Sequence, residues 1–212
     1  MSQKERELTP AEQKRKAEFA LLCEKMEKNG YQRRDLTIGV VKANFIAVAV
    51  MLPFMAVEIV GFFLALPEGR TASLGISMGS WLGLCLALLL LCAVHEAIHG
   101  LFWGICAKKH FHSIRFGIIL SALTPYCTCS ETLTKGQYVV GAAMPTVLLG
   151  FLPAGVAAGI SSPWLLCLSV FMTLGGGADF YVIMRMLCYR PKQKEVLFYD
   201  HPYECGVVAF VR

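Results

Sequence analysis

Residues 82–107 read LGLCLALLLLCAVHEAIHGLFWGICA and place an H-E-x-x-H motif inside an apolar stretch long enough to cross a bilayer. On a helix, His95 and His99 are four residues apart, so both imidazoles project from one face and can bind one Zn²⁺. Glu96 follows the first histidine, where a carboxylate can act as general base on a metal-activated water. Because ionisable side chains are costly within a membrane, this cluster indicates a functional site.

The composition of the whole chain agrees with a membrane location. Of its 212 residues, 56% are hydrophobic and only 17% are charged, whereas about a quarter of the residues of a soluble domain are charged. We therefore predict an integral membrane protein that is surrounded by the lipid bilayer. The formal net charge of +5 fits basic loops and tails better than a nucleic-acid surface, so we expect no nucleic-acid partner.

Four apolar segments each reach the roughly 20 residues that a spanning helix needs. They cover about residues 43–66, 74–107, 138–160 and 163–188. Residues 2–34 predict an N-terminal amphipathic helix, either an ordinary surface helix or one that lies on the anionic inner leaflet. The expected fold class is an all-α membrane protein with about four transmembrane helices, this amphipathic helix and a short cytoplasmic β-hairpin or re-entrant loop.

The hairpin is predicted between the second and third apolar segments, in residues 108–137. Phe116 and Ile118 belong to an imperfect alternation of apolar side chains, which indicates strands. Gly117 and Pro125 are residues typical of turns and strand interruptions.

The chain divides into a cytoplasmic N-terminal segment (1–35), a four-helix membrane metalloprotease-like domain (36–190) and a cytoplasmic C-terminal tail (191–212). Lysine and arginine are concentrated in the N-terminal segment, in the loop at 108–137 and in the C-terminal tail, and the remaining two turns carry one arginine or none. Since cytoplasmic loops carry the excess of basic residues, we expect both termini in the cytoplasm, with the protein in a bacterial cell membrane. In the tail, Asp200 belongs to the stretch YDHPY, which is typical of a turn.

The third metal ligand is predicted from depth in the membrane. A catalytic zinc site typically has three protein ligands and one open position, and the acidic residues of the apolar segments are Glu58, Glu96 and Asp179. At 1.5 Å per residue, both His99 and Asp179 lie roughly 12–14 Å from the expected cytoplasmic ends of their helices. We therefore predict Asp179 as the third ligand; the alternative is a polar residue that pairs with Arg185 or caps a kink.

Two further carboxylates have other interpretations. Glu58 is interpreted as a helix-packing or lipid-interface carboxyl, and Glu131 as a reserve ligand or a group that supports the ligands.

Several motifs together resemble a family of zincin peptidases that is otherwise defined as a domain of unknown function. They are HEAIHG, the loop pattern PYC-x-C-x-E-x-L, the sequence Ala143-Met144-Pro145 and GGGAD, and the resemblance covers about residues 91–210. More remotely, the chain is similar to the site-2 class of intramembrane metalloproteases, which pair H-E-x-x-H on one helix with an aspartate on another. The resemblance implies His95, His99 and Asp179 as zinc ligands and Glu96 as the base, acting on a membrane-protein or peptide substrate.

The predicted function is an intramembrane zinc metalloprotease that hydrolyses peptide bonds of membrane-associated substrates with a metal-activated water. One alternative is a non-proteolytic metal-binding membrane protein, such as a transporter, a sensor or a pseudoprotease. Another is a membrane anchor or assembly factor without metal. Glu96 separates the first two, because a protein that only binds metal has little need of a general base.

Overall fold

The computed structural model describes residues 10–75, 77–119, 124–202 and 204–212. The helices are α1 (Pro10–Lys28), α2 (Val40–Ala65), α3 (Met78–Cys106), α4 (Lys135–Thr146), α5 (Leu152–Ile160), α6 (Pro163–Gly175) and α7 (Gly177–Cys188). The strands are β1 (Gln32–Ile38), β2 (Ile114–Ile119), β3 (Thr124–Cys129), β4 (Leu133–Thr134), β5 (Val196–Asp200) and β6 (Cys205–Val211).

Within these described residues, three helical segments are long and apolar enough to cross a membrane. They are Lys42–Ala65, Met78–Cys106 and the run Lys135–Ile160, in which a π-turn joins α4 to α5. The fourth predicted segment is divided at Gly176, where α6 and α7 meet at a bend of 45°. It makes a fourth span only if the bent pair crosses the membrane as one unit.

The chain is mostly helical, as predicted, but the prediction of an all-α fold did not include a sheet to which both tails contribute strands. β1, β6, β5 and β4 form an antiparallel four-stranded sheet in that order. The predicted N-terminal helix ends at Lys28, since Gly30 adopts a φ of +83° that turns the chain into β1. Residues 2–9 of that predicted helix lie outside the described residues.

The sheet is buried on both faces. Phe198, Val207 and Ala209 pack into the same core as α3, α4 and α7, whereas Tyr199, Val208 and Phe210 pack against α1. On that second face Phe19 of α1 stacks on Tyr199 with 5.5 Å between ring centroids. The apolar stripe of α1 is therefore buried against protein, and its contact with the inner leaflet stays a prediction.

The β-structure predicted in residues 108–137 is a two-stranded antiparallel sheet of β2 and β3. It packs directly on α3, and two glycines of that helix permit the close approach of β2 and of the 3-10 turn that precedes it. A Cβ atom on Gly100 would lie 2.5 Å from Phe116, and one on Gly104 would lie 2.5 Å from Phe111. The hairpin is thereby held beside the H-E-x-x-H motif.

The end of α4 and the π-turn that follows it pack against α6 through two threonine–glycine contacts. Thr146 at the end of α4 faces Gly176, which follows α6, and Thr173 of α6 faces Gly150 in the π-turn. A Cβ atom on Gly176 would lie 1.8 Å from Thr146 Oγ1, and one on Gly150 would lie 2.3 Å from Thr173 Oγ1. Small residues at such crossings allow helix backbones to approach closely. This packing fixes the point at which α7 begins, and α7 carries Asp179 in its first turn.

Candidate metal centre

The two histidines of the motif lie on one buried face of α3, as their i, i+4 spacing predicts. His95 and His99 are both buried, and their Nε2 atoms are 3.2 Å apart. The rings meet edge to face with 4.8 Å between centroids.

Asp179 reaches the same point from α7. Its Oδ2 atom lies 3.3 Å from Nε2 of His95 and 3.5 Å from Nε2 of His99. Among the described residues, these three form the one group of His, Cys, Asp or Glu side chains that is close enough to hold a metal ion. The structure thus brings together the three residues predicted as ligands.

The spacing of the three atoms fits zinc. Zinc holds nitrogen and oxygen ligands at about 2.0–2.1 Å, which places the ligand atoms of a tetrahedral site about 3.3–3.4 Å apart. The three separations, 3.2, 3.3 and 3.5 Å, match the edges of such a tetrahedron. The Asp179 side chain is 26% exposed, compared with 9% and 4% for the two histidines, so the cluster is open on the aspartate side.

The ring of His99 is oriented by two contacts. Its Nδ1–H donates to the carbonyl oxygen of Gly141 on α4 at 2.8 Å, which leaves Nε2 as the metal-binding nitrogen. The ring also stacks on Trp103, with 4.9 Å between centroids and 14° between planes. Trp103 is held in turn, because its Nε1–H donates to the carbonyl oxygen of Tyr138 at 3.2 Å.

The sequence did not predict these supporting groups. Trp103 lies four residues after His99 on the same face of α3, which is the one available signal. Every residue has a backbone carbonyl, so the sequence does not show that the carbonyl of Gly141 accepts this hydrogen bond.

Glu96, the predicted base, lies beside the three predicted ligands and outside the group they form. It interacts electrostatically with all three of them, and the backbone N–H of Cys127 on β3 donates a hydrogen bond to its carboxylate. The base is therefore placed between the metal cluster and the hairpin.

Glu131, the reserve ligand, is engaged elsewhere. It accepts hydrogen bonds from the backbone N–H groups of Lys108 and Lys109, at 2.9 and 3.0 Å, and from the hydroxyl of Ser113 at 2.5 Å. Glu131 therefore ties the end of α3 to the loop that follows. Glu58 accepts a hydrogen bond from Thr173 at 2.5 Å, which agrees with its interpretation as a helix-packing carboxyl.

Asp200 is the residue whose role sequence reasoning missed. It ends β5, and its two oxygens accept hydrogen bonds from the hydroxyl of Tyr138 and from the backbone N–H of Cys129, the latter at 3.0 Å. Burial raises the pKa of Asp200, and these two hydrogen bonds oppose that rise. The turn predicted from YDHPY begins only after this residue.

Comparison with known protein families gives a match to a described family. The model of a family described as "Putative zincin peptidase" matches residues 88–194, which is half of the chain and includes the H-E-x-x-H motif and the GGGAD sequence. Comparisons with curated proteins and with solved structures give no match.

Proposed function

The chain belongs to this zincin peptidase family, and we propose that it is an intramembrane zinc metalloprotease that hydrolyses peptide bonds of membrane-associated substrates. One observation carries the proposal. The ligand atoms of His95, His99 and Asp179 have the spacing of a tetrahedral zinc site. The histidines come from α3, which is long and apolar enough to cross a membrane, and the aspartate comes from α7, which meets that test together with α6. An ionisable cluster at that depth is costly unless it has a function.

His95 and His99 would hold zinc through Nε2, and Asp179 would hold it through Oδ2. When bound, zinc supplies Lewis acidity, which makes a water more acidic and polarises a peptide carbonyl. Three protein ligands leave a fourth position, as in catalytic zinc sites. Asp179 is the most exposed of the three predicted ligands, and water and substrate would reach that position from its side.

Glu96 acts as the general base. Its carboxylate takes the proton of the attacking water and then gives it to the nitrogen of the leaving amine. The hydrogen bond from the backbone N–H of Cys127 helps to hold this carboxylate in place. Since this bond comes from β3, the position of the base depends on the hairpin as well as on α3.

The substrate would bind as an extended segment along β2. The carbonyl groups of a helical substrate are engaged in hydrogen bonds to residues four positions on, so the helix must unwind before cleavage. In the described part of the chain β2 pairs only with β3, and its other edge is available for an added strand. Phe116, in the middle of β2, packs on Gly100 of α3, so this hairpin lies against the helix that carries the H-E-x-x-H motif.

The test is to measure zinc content and cleavage together on the full chain purified in detergent. Cleavage is followed by mass spectrometry on a defined pool of synthetic transmembrane peptides. We expect about one zinc per chain in the wild type, and loss of zinc in Asp179→Ala and in the double variant His95→Ala/His99→Ala. Glu96→Gln should keep its zinc and lose cleavage. Full cleavage by Glu96→Gln, or a wild type without zinc, would overturn the proposal.

A further inference from the structure

The outer edge of β3 is closed by two carboxylates. In an antiparallel pair, alternate residues exchange hydrogen bonds with the partner strand, and the residues between them point their N–H groups away. The bond from the Ser130 N–H to the Ser113 carbonyl, at 2.8 Å, sets this alternation, so the N–H groups of Cys127 and Cys129 point away from β2. Cys127 donates to Glu96, and Cys129 donates to Asp200 at 3.0 Å.

The other oxygen of Asp200 holds the beginning of α4. It accepts the hydrogen bond of the Tyr138 hydroxyl, and Tyr138 lies in the first turn of that helix. The backbone of the same helix orients His99 twice. The Tyr138 carbonyl binds Trp103, which stacks on His99, and the Gly141 carbonyl, three residues further on, binds His99 directly.

We infer that Asp200 is a positioning residue of the metal centre. Through Cys129 it fixes the strand that holds the base Glu96, and through Tyr138 it fixes the helix that orients the ligand His99. A single carboxylate thereby sets the ligand and the base relative to one another. This inference rests on the proposed function, since it assigns Asp200 a part in that same site.

A carboxylate is the group that this position requires. Two donors, one N–H and one O–H, converge on its two oxygens, and an ionised carboxylate has only acceptors to offer. An asparagine would turn an NH₂ group toward one of the two donors. Toward Cys129 it would leave the backbone N–H without an acceptor. Toward Tyr138 it would remove the acceptor of the phenol, whose oxygen would then have to accept a hydrogen bond and reorient its own O–H.

Rigid elements bring Asp200 to this place. Thr134, the N-cap of α4, pairs with Leu197 of β5, so the sheet and the start of α4 are joined by their backbones as well. Phe198, two residues before Asp200 and on the same face of β5, is fully buried in the core shared with α4. Sites held by packed strands and helices keep their geometry better than sites on loops.

The test is zinc affinity of the full chain in detergent, measured by competition with a chelator, together with the visible absorption spectrum of the Co²⁺-loaded protein. We expect Asp200→Asn and Tyr138→Phe each to weaken zinc binding about tenfold or more, the effect typical of residues that orient ligands, and to alter the cobalt spectrum. Because both substitutions change the same hydrogen bond, between Tyr138 and Asp200, the double variant should bind zinc no more weakly than Asp200→Asn alone.

Two control variants separate positioning from general stability. Glu195→Gln removes a half-buried carboxylate next to the same strand, one whose ion-pair partner is Arg212, and its zinc affinity and cobalt spectrum should equal those of the wild type. Val208→Ala removes buried volume on the α1 side of the sheet, so it should lower the unfolding temperature and leave both metal readouts unchanged.

The experiment distinguishes a failure of the positioning role of Asp200 from a failure of the proposed function. Wild-type affinity and an unaltered spectrum in Asp200→Asn would overturn the positioning role and leave the proposed peptidase intact. A wild type that binds no zinc would instead overturn the proposed function. If Asp200→Asn fails to fold, Tyr138→Phe decides, because it removes only the hydroxyl contact and keeps the bond from Cys129.

Discussion

His99 of α3 donates its Nδ1–H to the carbonyl oxygen of Gly141 on α4 at 2.8 Å, and the absence of a side chain at position 141 is what makes this contact possible. A Cβ atom there would lie 2.1 Å from the indole ring of Trp103, the ring on which His99 stacks. The hydrogen-bond acceptor and the stacking partner of one predicted ligand therefore depend on the same glycine. Such supporting groups fix the tautomer and orientation of a metal-binding histidine.

Gly141→Ala should weaken zinc binding about 10- to 100-fold, because the indole must move and His99 loses its orientation. Zinc affinity of the purified variant, measured by chelator competition, tests this. Gly136→Ala is the matched control, since it lies on the same helix and its added methyl group meets no atom within 4 Å. Equal zinc affinity in the two variants would contradict the role assigned to Gly141.

Gly176→Ala should also weaken zinc binding, by displacing α7 and with it Asp179. The new methyl group would lie 1.8 Å from Oγ1 of Thr146, which is buried and has no hydrogen-bond partner among the described residues. Thr146→Ala alone should therefore cost little stability, and in the double variant it should restore part of the lost zinc affinity. Zinc affinity and the thermal unfolding of all three variants are the measurements. A double variant that binds no better than Gly176→Ala would argue against this contact.

The metal ligands could be predicted from the sequence because helix geometry is regular. Spacing along α3 places His95 and His99 on one face, and the fixed rise per residue sets the depth of Asp179. The four-stranded sheet could not be predicted in the same way. β6 is buried on both faces and shows no alternation, and β1 pairs with it across the whole length of the chain, Gln32 with Val211.

The residues that orient the predicted ligands could not be predicted from the sequence for a different reason. Gly141 acts through a backbone carbonyl, for which no residue type is diagnostic. Asp200 lies in a stretch with turn chemistry, and its partners Tyr138 and Cys129 are 62 and 71 residues away in the chain. Only the tertiary fold shows that they meet.

Thr173→Val should destabilise the protein by about 1–3 kcal/mol, because it leaves the carboxyl of Glu58 without its partner inside apolar helices. Valine keeps the shape of threonine and removes only the hydroxyl. The double variant Thr173→Val/Glu58→Leu should recover most of the loss, since replacing both polar partners removes the unsatisfied group. Thermal unfolding in one detergent compares them. No difference between Thr173→Val and the wild type would show that this bond contributes nothing to stability.

Glu131→Gln should lower stability in a pH-dependent way. Burial raises the pKa of Glu131, but the hydrogen bonds from Ser113, Lys109 and Lys108 outweigh it, so the pKa lies below its ordinary value of 4.5. A lowered pKa contributes stability that is present above about pH 4.5 and lost as the pH falls through the pKa of the folded state.

The difference in unfolding temperature between the wild type and Glu131→Gln should therefore be largest at neutral pH and shrink below about pH 4.5. The exposed Glu68→Gln serves as the control for the change of one charge. A difference that stays constant from pH 7 to about pH 3 would contradict the assignment.

Ile118→Pro should reduce cleavage of transmembrane peptides and leave zinc content unchanged, if substrate adds to the free edge of β2. The alternation set by Ser113 and Ser130 directs the N–H of residue 118 away from β3, so proline there removes a donor from the free edge and spares the pairing within the hairpin. Ile118→Ala changes the side chain alone and should cleave as the wild type does. Cleavage by Ile118→Pro equal to that by Ile118→Ala would exclude strand addition at this position, because the two variants differ in the backbone donor that an added strand requires.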